Sequence, residues 1–264
     1  MTPDEFLSLA DNPDFIEGIY NYCDRWCERC PMTHRCLVFA STPTEENVES
    51  GSVEEKQQAM MRQVEASFQL TIELINKFAA EQGIDLNEIA KDETPVLERK
   101  KLRKEMEKFP LTRLAKEYID NTQHWMNNLD EIALAKDLEL QQAHVLQLPG
   151  RDPNRELEEL KNAMDVVHWY CFQINVKLTR ALMSRSSHVE FEDEDEPFPK
   201  SSDGSAKVAL IGIERSIGAW GVLLQHFPEQ EGSILRVLSI LSRLLRMTEA
   251  EFPDARGFHR PGLD

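Results

Sequence analysis

Four of the chain's five cysteines, Cys23, Cys27, Cys30 and Cys36, lie in one short run, Tyr-Cys-Asp-Arg-Trp-Cys-Glu-Arg-Cys-Pro-Met-Thr-His-Arg-Cys. Thiols at C-x3-C-x2-C-x5-C spacing must pack together, pair as disulfides or share a metal. The start, Met-Thr-Pro-Asp-Glu-Phe, has no basic region leading into an apolar run, so no secretory signal is read and a cytoplasmic location is expected. Thiols stay reduced there, and clustered cysteines then point to a metal.

The spacing sets the expected geometry. Cys23, Cys27 and Cys30 stand at i, i+4 and i+7, one face if the stretch is helical, with neighbouring Cβ atoms about 5–6 Å apart. Pro31 ends that helix and Cys36 returns after a turn. A zinc ion bound at about 2.3 Å needs sulfurs ~3.8 Å apart, within reach of inward-leaning side chains. His34 lies inside the turn and is an alternative fourth ligand. Zinc is the first expectation, because four-cysteine sites of this class are commonly closed and structural. A [4Fe-4S] cluster is the alternative, favoured by the compact run and by proline directly after a cysteine. The C-x3-C-x2-C order also matches the motif of radical enzymes that hold a cluster with adenosylmethionine. Arg29 stands where that motif usually has an aromatic, and the barrel strands are missing, so that reading is set aside. Arg25, Arg29 and Arg35 offset the net charge of either metal site and do not discriminate. Packing of the thiols as core is the remaining reading.

The rest of the chain reads as all-α, with long periodic runs and almost no β-branched alternation. The expected organisation is a Cys-rich metal-binding segment over 1–43, a four-helix-bundle-like domain over 53–250 and an irregular tail over 251–264. A first long helix runs from about Val53 to Gln82, with the stripe Met61, Val64, Phe68, Ile72, Ile75 and Ala79 and Gly83 as its cap. A segment from Asn87 to Phe109 is broken by Pro95 and closed by Pro110. A second long helix runs from about Leu111 to Leu146, with Leu111, Leu114, Tyr118, Trp125, Leu129 and Ile132 on one side. A third begins near Pro153 and carries the stripe Leu160, Met164, Val167, Cys171, Ile174, Leu178 and Ala181. Trp169, Phe172 and Val176 lie round from that stripe, so this helix is expected to be apolar on most sides and the most buried element. Cys171 is read as packing. Asp203 caps a fourth helix to His226, in which Gly218 and Gly221 would let a neighbour approach. Phe227-Pro228 interrupts, and a last helix runs from Ser233 to Glu251. Phe252 and Phe258 suggest that the tail docks.

Charge limits the partners. The formal net charge is −17, which argues against nucleic acid and anionic membrane; a protein partner stays open. The stretch Arg99, Lys100, Lys101, Arg103 and Lys104 is interleaved with Glu98, Glu105 and Glu107 and reads as a solvated face. The block Glu190 to Glu196, within a loop of about 189–202, is expected to be disordered and solubilising.

A second site is conceivable inside the helices. Two-metal bundle sites use a Glu from each of two helices and Glu-x-x-His from the other two. Glu65, Asp165 with His168, and Glu214 supply part of that set, while the remaining helix offers only Asn121-x-x-His124. No phosphate loop, nucleophile elbow or zinc-protease motif occurs, and no catalytic residues are assigned. Three functions follow in order: a non-enzymatic zinc protein with a regulatory or interaction role, an iron–sulfur redox protein on the same cysteines, and a bundle enzyme with a metal at Glu65, His168 and Glu214.

Overall fold

A computed structural model describes residues 1–42, 52–146, 152–188 and 201–264. Among the described residues the fold is all-α, with ten α-helices joined by turns and short 3-10 segments: α1 (Pro3–Ala10), α2 (Leu37–Ala40), α3 (Val53–Gln82), α4 (Leu86–Lys91), α5 (Thr94–Met106), α6 (Pro110–Asn127), α7 (Leu129–Leu146), α8 (Pro153–His188), α9 (Ser201–His226) and α10 (Glu231–Glu251). The chain divides into two compact units, residues 1–99 with 260–264, and residues 100–259. The acidic block 190–196 lies outside the described residues.

In the unit of residues 100–259, α9 packs on α8 and α10, and α6 packs on α8 and α10. The α8 stripe behaves as its heptad requires: Val167, Cys171, Ile174 and Leu178 are buried. The rest of α8 departs from the expectation, because Phe172 and Val176 are exposed and Trp169 is half-buried. The helix buried along most of its length is α9 instead, with Ala206, Val208, Ala209, Leu210, Ile213, Ala219, Trp220 and Leu223 all enclosed. Small residues let it sit there. Gly212 meets α8 so closely that an added Cβ would lie 2.8 Å from Cδ1 of Tyr170. Gly218 and Gly221, the glycines the sequence singled out, have no such neighbour. By length and composition α9 is also apolar enough to cross a membrane; its apolar surface is spent on α8 and α10.

Two boundaries differ from the sequence reading. The helix expected over 111–146 breaks at Asn128, between α6 and α7. The pair Asn127-Asn128 supplies two poor helix formers, and the Asn128 side-chain amide donates to the His124 carbonyl at 2.7 Å. Leu111, Leu114, Tyr118 and Trp125 are buried as expected, Leu129 is half-buried, and the Ile132 side chain lies outside the described residues. Asp203 is not a cap but sits buried in the first turn of α9, which begins at Ser201.

An aromatic cluster closes this core. Trp220 meets Trp125 edge to face at 5.0 Å between centroids, and Trp125 meets Phe227 at 5.9 Å. The segment after α10 docks as its phenylalanines suggested: Phe252, Ala255 and Phe258 are buried. Two polar ties hold it to α9, Lys207 Nζ donating to the Phe258 carbonyl and Arg256 pairing with Glu214 at 2.7 Å.

The unit of residues 1–99 with 260–264 is built differently. α3 has the predicted ends, with a capping box between Ser52 and Glu55 and Gly83 in the left-handed region at φ 66°. Its apolar stripe, however, is not buried. Met61, Val64, Phe68, Ile72 and Ile75 are exposed, and only Ala79 of the expected set is enclosed. α1 packs on α3, where Lys77 pairs with Asp4 at 2.5 Å. Pro95 falls in the first turn of α5, where its missing N–H costs nothing.

Candidate metal centre

The cysteine run does not form the α-helix its spacing suggested. Cys27–Arg29 and Thr33–Arg35 are single 3-10 turns, and Cys23 lies in irregular backbone. Two local features stop a helix between Cys23 and Cys27. Arg25 takes a left-handed backbone with φ 59°, a region that costs a side-chain-bearing residue about 1–2 kcal/mol and ends helical propagation. Asp24 Oδ1 also accepts from the Trp26 amide at 3.2 Å, an Asx turn that competes with helix. Pro31 then separates these two 3-10 turns.

Turns nonetheless achieve what the helix was expected to do. Cys23, Cys27, Cys30 and Cys36 all line one cavity of about 30 Å³, walled by Ile19, Trp26, Val38, Phe39 and Leu263 among others. The five cysteines of the chain form no disulfide. The Cys30 amide donates to the Cys27 carbonyl at 3.1 Å, closing the C-x2-C turn. Cys23 Sγ donates to the Tyr20 carbonyl at 3.6 Å. The Cys27 thiol is pushed above its ordinary range, first by burial, then by the negative fields of Cys23, Glu28, Cys36 and Cys30. All three other thiols thus act electrostatically on Cys27, an effect that requires closeness.

Neighbouring side chains hold the frame. Trp26 is buried against the site, with the Arg29 guanidinium 3.9 Å above its ring. Arg35, next to Cys36, donates through Nε to the Asp14 carbonyl at 3.0 Å, and its own carbonyl accepts from the Ile16 amide at 3.0 Å. These two bonds tie the segment before the first thiol to the one before the last. His34 is exposed and does not line the cavity; Cys36 is the fourth group there.

Among the described residues no group of three or more His, Cys, Asp or Glu side chains is arranged to hold a single metal ion. The four thiols line one cavity.

The second set of residues is not gathered. Glu65 lies on α3, and Asp165 and His168 on α8, with Glu65 and His168 exposed. Glu214 on α9 is engaged by Arg256, which also pairs with Glu249 at 2.6 Å. With Lys207, Glu214 belongs to the polar seam that fastens the segment after α10. His124 is exposed on α6. Cys171 is buried in the core with its thiol pushed up to about 11 by burial, in keeping with a packing role.

Leu263 is the most distant of the wall residues that sequence reasoning missed, with Ile19, Val38 and Phe39 among the others. It lies 227 positions beyond Cys36 (263 − 36) and still walls the same cavity, and no local pattern around Gly262-Leu263 signals that contact. Comparison with protein-family models, with curated proteins and with solved structures finds no match.

Proposed function

We propose that Cys23, Cys27, Cys30 and Cys36 hold an iron–sulfur cluster and that the chain is a redox-responsive iron–sulfur protein carried on a helical scaffold. One observation carries this reading: the four thiols of one compact run line a single, apolar-walled cavity.

A second line of support is energetic. Among the described residues 1–42, Ile19 and Trp26 are the buried hydrophobic side chains. A segment that buries so little apolar surface cannot offset its ordering entropy alone, and small scaffolds of this kind rely on a metal or cross-link. The cluster would supply electron exchange at the thiols. The chain's own residues supply four thiolates, an apolar wall of Ile19, Trp26, Val38 and Phe39, and frame bonds through Arg35. Structural zinc is the second reading, favoured by the closed Cys27–Cys30 turn.

The deciding experiment is anaerobic purification followed by absorption spectroscopy and analysis of iron, sulfide and zinc. The cluster reading expects brown protein with iron and acid-labile sulfide, colour that bleaches on reduction, and loss of colour in Cys27→Ser. Colourless protein with about one zinc per chain, the stoichiometry of a four-thiolate zinc site, moves the assignment to zinc. Protein with neither metal overturns both.

A further inference from the structure

Residues 260–264 stand at the thiol site although they are far from it in sequence, and their geometry is that of a preformed plug. Arg260 and Asp264 close on each other: Nε and Nη2 of Arg260 donate to Asp264 Oδ1 at 3.0 and 2.7 Å, and the Arg260 amide donates to Oδ2 at 2.9 Å. The pair is largely shielded, at 15% and 21% side-chain exposure, so water competes with it less than with an open surface pair. The Leu263 amide donates back to the Arg260 carbonyl at 3.1 Å, completing the turn. Gly262 occupies the left-handed region at φ 68°, and a Cβ there would lie 2.5 Å from Cδ1 of Ile16 and 3.3 Å from Cδ1 of Ile19. That position thus needs glycine twice, for its backbone and for its fit against the wall of the site. The turn places Leu263 in the wall of the cavity that the four cysteines line.

We infer that residues 260–264 form a latch that closes the four-thiol site, with Leu263 as its plug, Gly262 as its seat on Ile16 and Ile19, and the Arg260–Asp264 pair as the clasp that keeps the turn in shape. The latch concerns access to the thiols wherever residues 1–42 are folded; its role as a shield for bound iron rests on the reading above. Where a cluster is bound under the closed latch, linkage makes the effect reciprocal: loading favours closure, and closure slows loss of the load. Released, the latch leaves the thiols open to oxidants and chelators.

The test is thiol accessibility in the reduced 264-residue chain as purified anaerobically, read as the rate at which an aromatic disulfide dye labels each cysteine. Cys171, buried on α8, serves as the internal control for global unfolding. Leu263→Ala removes the plug and is expected to raise labelling of Cys23, Cys27, Cys30 and Cys36 roughly tenfold, through easier local opening, with Cys171 unchanged. Asp264→Asn loosens the clasp without changing size and is expected to give a smaller rise at the same four thiols. Rates equal to the parent's in both variants, or a rise shared by Cys171, overturn the latch. In iron-loaded protein the same variants are expected to lose iron faster to a chelator. Parent protein without iron defeats the cluster reading, while the dye rates still decide the latch.

Discussion

The two compact units solve the stability problem in opposite ways. In residues 100–259, α6, α8, α9 and α10 enclose Tyr118, Val167, Ile174, Leu178, Ile213, Trp220 and Leu241 almost completely, and burial of apolar area at about 25 cal/mol per Å² is what holds them. In residues 1–42, Ile19 and Trp26 are the buried hydrophobic residues, and order depends on 3-10 turns, the Arg35 bonds and four thiols around one cavity. The first unit should resist losing any cofactor and fail when its core is emptied. The second should tolerate apolar changes and fail when its thiols are changed.

The largest expected effect breaks the comparison from the thiol side. Cys27→Ser, or prolonged treatment of the reduced protein with an iron and zinc chelator, should abolish ordered structure in residues 1–42 while leaving α6 and α8–α10 intact. Hydrogen exchange measured by mass spectrometry checks this: peptides from 1–42 should exchange at free-chain rates and peptides from α8–α10 should keep the parent's protection. Loss of protection in both units would mean that they do not fold independently.

Next is the core. Leu178 is fully enclosed on α8, so Leu178→Ala should cost about 2–5 kcal/mol in denaturant unfolding. Gly212→Ala acts from the facing helix by overpacking. Its Cβ would press on the Tyr170 ring at 2.8 Å, and a cost of about 1–3 kcal/mol is expected. Either variant leaving the midpoint unchanged would show that the core is not where the helices meet.

A smaller effect is set by pH. Burial raises the Tyr118 hydroxyl from 10.0 to about 12 and the Cys171 thiol from 9.0 to about 11. Both groups are neutral acids in the fold, so their contribution is complete below the unfolded values. It falls as pH rises through about 9 to 11 for the thiol and about 10 to 12 for the phenol, because the unfolded chain ionises first. Stability of this unit should therefore decline with alkalinity in that window, and Cys171→Ala should flatten the earlier part of the decline. A thermal midpoint that holds level from pH 8 to 11 in the parent would count against this burial.

How far the sequence could be read follows the same division. Where burial and period coincide, as at Val167, Cys171, Ile174 and Leu178, the heptad alone located the core, and Gly83 marked the C-terminal end of α3. Where a position depends on a distant partner, local pattern had no access to it. Gly212 could not be told from Gly218 and Gly221, because the distinguishing fact is Tyr170 on another helix. Leu263 could not be assigned to the thiol site from the residues around it. The cysteines were identified by type and density, but their geometry was misread, since i, i+4, i+7 spacing carries no information about the left-handed Arg25 that prevents a helix.

The smallest expected effect concerns α3, whose stripe has the same periodicity as that of α8 and the opposite fate. Phe68 is 66% exposed and Ile72 51% exposed, so most of their surface is already in water and its removal has little to lose. Phe68→Ser should change stability by no more than about 0.5 kcal/mol, the range of surface substitutions without special contacts, plus a small propensity difference between the two residues. The contrast with Leu178→Ala is informative because a sequence-only reading would rank the two alike: both are large apolar residues on a helical stripe. If Phe68→Ser instead costs as much as Leu178→Ala, the α3 stripe is covered in solution, and periodicity outranks the observed exposure as the guide to what that helix does.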